Sequence, residues 1–103
     1  MLPHKAKKAY RLSNKAATDL RNIAKYTAQE FGAAQAKAYL TGINEAVIQL
    51  AEQPLLAQQA GELRADYRRY LFQKHTIYFQ TTDYGIYVVR VLHQQMKLSL
   101  HIS

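Results

Sequence analysis

Apolar positions change their period once along this chain, and the change divides it into a helical first part and a stranded second part. Ala16, Leu20, Ile23, Ala24 and Thr27 recur at helical spacing and predict an amphipathic helix over 14–30. Ser13 or Asn14 caps it, since either side chain can accept from the free amides of a first turn. Phe31 closes it and Gly32 is a natural stop. A second helix is predicted over 33–53, with Ala36, Leu40, Ile43, Val47 and Leu50 as its buried stripe and Pro54 as its end. Gly42 flanks that stripe at a cost of about 1 kcal/mol in helix propensity. The expectation is that its small size lets the first helix approach closely. With so short a connection, the two helices pack antiparallel as a hairpin.

The strands lie on either side of this hairpin. Ala9–Leu12 alternates apolar and polar residues and reads as a short strand. Residues 55–62 form a loop with Gly61 as its turn residue. A strand is then predicted over 66–74, with Tyr67 and Leu71 on one face and Tyr70 and Phe72 around them. His75–Thr81 is the next strand, and Thr82-Asp83-Tyr84-Gly85 is a hairpin turn with Asp and Gly where turn geometry favours them. The stretch 85–96 is the most apolar of the chain. Ile86, Val88 and Leu92 fall on one face and Tyr87, Val89 and Val91 on the other. A strand apolar on both faces belongs inside a sheet with something packed on it. Arg90 in its interior therefore needs a carboxylate or carbonyl partner. The predicted order is β-α-α-β-β-β, an α+β fold with a helical hairpin packed on a small antiparallel sheet. At 103 residues the chain is one domain, 1–103, with a basic, flexible segment at 1–8 and a tail at 97–103.

Charge adds a direction. Residues 1–11 hold Lys5, Lys7, Lys8 and Arg11 and no acid; residues 12–53 are balanced; residues 54–103 carry six bases against three acids. The net charge of +7 thus gathers at the amino terminus and over the strands, which suits an acidic partner, nucleic acid or protein, or plain solubility. No Cys is present, so disulfides, thiolate metal sites and Cys nucleophiles are excluded. No segment approaches the ~20 apolar residues of a membrane span, and the expected location is the cytoplasm. His4, His75, His93 and His101 are scattered without metal-ligand spacing, so neither metal nor cofactor is expected. His93 stands out because it ends the most apolar strand; it is either a hydrogen-bonded terminal His or a working one. No nucleophile elbow, phosphate loop or carboxylate pair occurs. Arg64, Arg68, Arg69, Lys74 and Arg90 are interleaved with Tyr67, Tyr70 and Phe72, a pattern that fits either a backbone-gripping surface or a solvated sheet face. The one catalytic form these residues allow is a His with basic residues acting on RNA phosphates.

An ordered set of short pieces resembles the ParE branch of the RelE/ParE toxin superfamily. They are Tyr10-Arg11-Leu12-Ser13, then Ala17, Asp19, Leu20, Ile23 and Tyr26-Thr27, then Phe31-Gly32, Gln35-Ala36 and Tyr39. They continue with Leu50-Ala51-Glu52-Gln53-Pro54, Glu62-Leu63-Arg64, Tyr67-Arg68, Ile77-Tyr78-Phe79 and Arg90-Val91-Leu92-His93-Gln94-Gln95-Met96. The resemblance implies a toxin of a type II toxin–antitoxin system, of the kind that stabilises plasmids. Its partner would be a ParD-like antitoxin whose acidic, amphipathic carboxy-terminal segment wraps it. ParE-like members inhibit DNA gyrase without catalysis; RelE-like relatives cut messenger RNA on the ribosome, with His93 as acid/base here and Arg64, Arg68 or Arg90 on phosphate. A relative that keeps antitoxin binding without toxicity is the third form. Target or antitoxin binding is expected at Arg64, Arg68, Arg69, Lys74, Arg90, His93 and Met96, with no sequence-specific DNA binding by the toxin alone. After the His-Gln pair the family continues Arg-Met-Asp, whereas this chain has Gln95-Met96-Lys97.

Overall fold

The computed structural model describes residues 8–96. The basic residues Lys5 and Lys7 and the tail from Lys97 lie outside the described residues. The elements are β1 (Ala9–Leu12), α1 (Asn14–Phe31), α2 (Ala33–Glu52), a 3-10 turn at Pro54–Leu56, β2 (Gln58–Gln59), β3 (Tyr67–Phe72), β4 (His75–Thr81) and β5 (Gly85–His93). Both helices form where the periodicity predicts them. Ser13 caps α1: its hydroxyl oxygen accepts from the Ala16 amide at 2.9 Å and its O–H donates to the Val89 carbonyl at 2.7 Å. One residue thus starts the helix and ties it to β5. Gly32, at φ +94, makes the whole connection to α2, a backbone conformation that costs glycine least.

The sheet order is β1-β5-β4-β3-β2. β3, β4 and β5 form the expected antiparallel meander, but β1 joins it parallel to β5, with Tyr10 beside Ile86 and Leu12 beside Val88, so the sheet is mixed and not antiparallel throughout as the sequence suggests. β5 therefore lies inside the sheet, as its apolar character requires. Gly85, at φ +143, is where β1 comes closest: a Cβ there would overlap the Ala9 carbonyl oxygen. The helical hairpin covers one face. Ala16 and Ile23 of α1, Ile43, Val47 and Leu50 of α2, and Ile77, Phe79, Ile86, Val88 and Val91 of the sheet form one core. On the other face, Ala60, Tyr67, Tyr78 and Leu92 form a small cluster with Leu63 and Val89.

Four further readings of the sequence need correction. First, the faces of β5 are mixed. A bulge between Tyr78 and Phe79 in the pairing leaves Val89 unpaired, so Tyr78 meets Arg90 while Phe79 meets Val88. An extra residue reverses the alternation beyond it. Val91 therefore joins Ile86 and Val88 under the helices, and Leu92 turns to the far face with Val89. Second, Gly42 accommodates β3 and not α1: a Cβ at Gly42 would lie 2.7 Å from Phe72 Cζ. Third, the strand expected over 66–74 is shorter, because Gln73, at φ +50, and Lys74 turn the β3–β4 hairpin. Its core-facing residues are Tyr70 and Phe72, while Leu71 is exposed. Fourth, the loop at 55–62 contains β2, which pairs Gln58 with Arg69 and Gln59 with Arg68.

Candidate functional site: a cleft at the end of the sheet

α1 descends along β5 and then turns into α2 at Gly32, so the hairpin end overhangs the sheet where β5 finishes. A cleft of about 850 Å³ opens between them. Ile23, Thr27 and Val91 line its depth, and Tyr26, Phe31 and Met96 lie at its rim with 61%, 65% and 40% of their surface exposed. The polar wall is built by Tyr39 of α2, by Gln73 and Lys74 of the β3–β4 turn, and by His75 and His93.

Asp19 governs the inner corner. β1 ends at Leu12, so β5 loses its strand neighbour at that edge. Side chains and backbone of the α1 start replace it. The Ser13 amide donates to the Val88 carbonyl at 2.9 Å, the Ser13 hydroxyl to the Val89 carbonyl, and the Val91 amide donates to Asp19 Oδ2 at 2.9 Å. The same carboxylate accepts from Arg90 Nε at 2.8 Å and Arg90 Nη2 at 2.9 Å. The two side chains are only 11% and 15% exposed. This is the carboxylate partner that an interior Arg requires. The hydrogen bonds to Asp19 raise the Arg90 pKa above the usual guanidinium value, with burial pulling the other way.

The bulge also creates a histidine pair. Counted from the Thr82–Gly85 turn without an extra residue, His75 would face Leu92; with it, His75 faces His93. The rings meet edge to face with centroids 5.5 Å apart. Tyr39 reaches the pair from α2, with its hydroxyl 2.6 Å from His75 Nδ1 and 3.5 Å from the Phe72 carbonyl oxygen. Burial, and then the neighbouring His93, lowers the His75 pKa. Burial raises the Tyr39 pKa, against a hydrogen bond from the Lys74 backbone. His93 Nδ1 accepts from the Gln95 amide at 3.2 Å. Among the described residues no three His, Asp or Glu side chains gather as metal ligands.

Of the residues singled out in the sequence, Lys74, Arg90, His93 and Met96 meet in this cleft. Arg64, Arg68 and Arg69 do not. Arg64 is exposed in the turn before β3, Arg68 donates to the Ala57 carbonyl at 3.0 Å, and Arg69 pairs with Glu62. Sequence reasoning assigned no role in the site to Asp19, Tyr39 or His75. Asp19 carried a signal, because an acid three residues after Ala16 and four before Ile23 borders the buried stripe. His75 carried none without knowledge of the bulge.

A helical hairpin packed over a five-stranded sheet is a fold shared with chains of two solved toxin–antitoxin assemblies. The chromosomal ParDE TA system from P. aeruginosa contains a chain that superimposes with a TM-score of 0.72 at 18% identity, covering 84% of this chain and 96% of that one. The YoeB-YefM complex from Staphylococcus aureus contains one with a TM-score of 0.57, also at 18% identity, covering 86% and 99%. The sequence narrows the class. The family described as ParE toxin of type II toxin-antitoxin system, parDE, matches residues 10–98. Toxin ParE1 of Caulobacter vibrioides is 35% identical over 93% of this chain and 99% of its own length. Toxin ParE1 of Mycobacterium tuberculosis is 34% identical over 90% and 96%. The chain belongs to the ParE toxin family of type II toxin–antitoxin systems. No helix among the described residues is long and apolar enough to cross a membrane.

Proposed function

We propose that this chain acts in the cytoplasm as a non-catalytic inhibitor of DNA gyrase and is neutralised by a ParD-like antitoxin encoded beside it. The observation that carries the non-catalytic part is the commitment of Arg90. Its guanidinium is held by Asp19 along two hydrogen bonds, so it is built into the β5 edge. Arg68 and Arg69 are likewise engaged by the Ala57 carbonyl and Glu62. What the cleft offers instead is exposed apolar and aromatic surface at Tyr26, Phe31 and Met96, with Lys74 and His93 beside it. Such a mixture suits a protein partner better than a phosphate. Arg64, exposed in the turn before β3, remains available to the same partner or to the target. Purified toxin is expected to block supercoiling by gyrase, and added antitoxin to restore it. Supercoiling that persists at large toxin excess overturns the gyrase assignment.

One observation favours a second reading. The His75–His93 pair, with Tyr39 and Lys74 nearby, places an acid/base couple in one cleft. That is the arrangement a ribosome-dependent endoribonuclease would use. Toeprinting on translating ribosomes separates the two: cleavage that disappears in His93→Ala supports the nuclease, and intact message removes it. Harmless expression without the antitoxin, with firm co-purification alongside it, would identify a non-toxic binding relative.

A further inference from the structure

The cleft is unevenly charged. Among the described residues Asp19 is the one carboxylate lining it, and it is already occupied by Arg90 and the Val91 amide. Lys74 and the two imidazoles face the opening from the other wall. An apolar floor and rim, with a cation and two weak bases at one end, suits an amphipathic segment that brings an acidic side chain. We infer that the cleft receives a carboxylate of the antitoxin between Lys74 and the His75–His93 pair, and that the pair takes up a proton as the carboxylate arrives. The inference rests on the antitoxin reading above and gives it a specific address, away from the arginines of β3.

The geometry permits one proton on the pair without breaking a hydrogen bond. With His75 neutral and its N–H on Nε2, the Tyr39 hydroxyl donates to Nδ1 across 2.6 Å. With His75 protonated, Nδ1–H donates to the Tyr39 oxygen, and the hydroxyl proton turns toward the Phe72 carbonyl 3.5 Å away. Two protons are disfavoured, because the rings sit 5.5 Å apart and like charges at that distance repel. The groups facing the pair are Tyr39 from α2, Lys74 from the β3–β4 turn, and the Asp19–Arg90 ion pair from α1 and β5. All except the ion pair are neutral or cationic, so the empty cleft favours a neutral His75, in line with its lowered pKa. An incoming carboxylate favours the charged form. The two titrations are coupled, so the uptake belongs to the pair and not to either ring.

The sign follows. The pair's pKa is higher in the complex than in the free toxin, so binding tightens as pH falls through that interval. It levels off below the free value, and the gain vanishes above the complexed one. Within the interval the gain is at most about tenfold per pH unit for one proton. The test is calorimetry of the full-length toxin with the antitoxin from the adjoining reading frame. It is run near neutral pH in phosphate and in Tris, whose ionisation heats differ widely. Wild type is expected to show buffer-dependent heat equivalent to uptake of up to one proton, and the His75→Gln/His93→Gln variant none. Binding with buffer-independent heat overturns the inference while leaving the antitoxin assignment intact, and so does uptake retained in the double variant. If the antitoxin does not bind at any pH, the assignment and the inference fall together. The wild-type comparison alone is decisive should the variant not fold.

Discussion

Replacing Asp19 by Ala removes the one carboxylate that accepts from Arg90 Nε, Arg90 Nη2 and the Val91 amide. The side chains concerned are 11% and 15% exposed, so water replaces the lost contacts only in part. Breaking a buried pair by deleting one partner costs about 3–5 kcal/mol, because the surviving charge stays desolvated. The whole stability of a domain this size is roughly 5–15 kcal/mol. Asp19→Ala therefore removes a large fraction of it. Urea unfolding followed by far-ultraviolet circular dichroism measures the effect. At a slope of about 1.5 kcal/mol per molar urea, the midpoint falls by roughly 2–3 M. Asp19→Asn keeps one acceptor oxygen but loses the charge and the second acceptor, so its midpoint falls by less than that of Asp19→Ala. The decisive control is Asp19→Leu with Arg90→Met, which removes both charges. If the cost is desolvation of a guanidinium that has lost its carboxylate, the double variant recovers at least half of what the single one loses. A loss below about 1 kcal/mol in Asp19→Ala, or a double variant no more stable than the single, refutes the reasoning.

Gly85→Ala places a side chain against the Ala9 carbonyl at φ +143; it is expected to cost about 2–4 kcal/mol and to raise hydrogen exchange at the β1 amides first. Gly42→Ala gains about 1 kcal/mol of helix propensity but meets Phe72 Cζ at 2.7 Å. It should be neutral or destabilising in wild type and stabilising in a Phe72→Leu background, as read from the two melting temperatures. The lowered pKa of His75 makes stability depend on pH. The unfolded chain takes the proton near pH 6.5 and the folded chain only at lower pH. Stability is therefore full above about pH 6.5, falls as pH drops below it and levels off below the folded value. Melting temperatures at mildly acidic and mildly basic pH check this, and His75→Gln should flatten the profile.

The layers were legible because each rests on a local rule. Period 3.6 up to Leu50, a stop at Gly32 and at Pro54, and period 2 afterwards suffice for a hairpin and a meander. The demand that Arg90 find a carboxylate was legible too, since an interior guanidinium is intolerable alone; the acceptor, Asp19, carried no mark that set it apart from the other acids for this role. What escaped depends on register. Nothing in Gly85-Ile86-Tyr87-Val88-Val89-Arg90 marks Val89 as the residue left unpaired, because Tyr87, Val88 and Val89 are all good strand formers. The parallel pairing of β1 and the two-residue β2 likewise arise from tertiary packing and not from propensity.

That single unpaired residue has consequences out of proportion to its size. A bulge re-aims every side chain beyond it. Without it, Val91 would leave the core and Leu92 would replace it under the helices. His93 would then no longer stand opposite His75. The Asp19 carboxylate holds Arg90 and the Val91 amide, the two positions immediately after the bulge. The structural ion pair and the candidate binding cleft are therefore one device: the first fixes the register on which the second depends. This separates two roles that the sequence presents side by side in Arg90 and His93. Arg90 lines the inner corner of the cleft with its guanidinium engaged by Asp19 and so acts chiefly on the fold, whereas His93 lines it beside Lys74 and Met96. A variant at Arg90 should accordingly lower stability and partner binding together. A variant at Lys74, exposed in its turn, should lower binding alone.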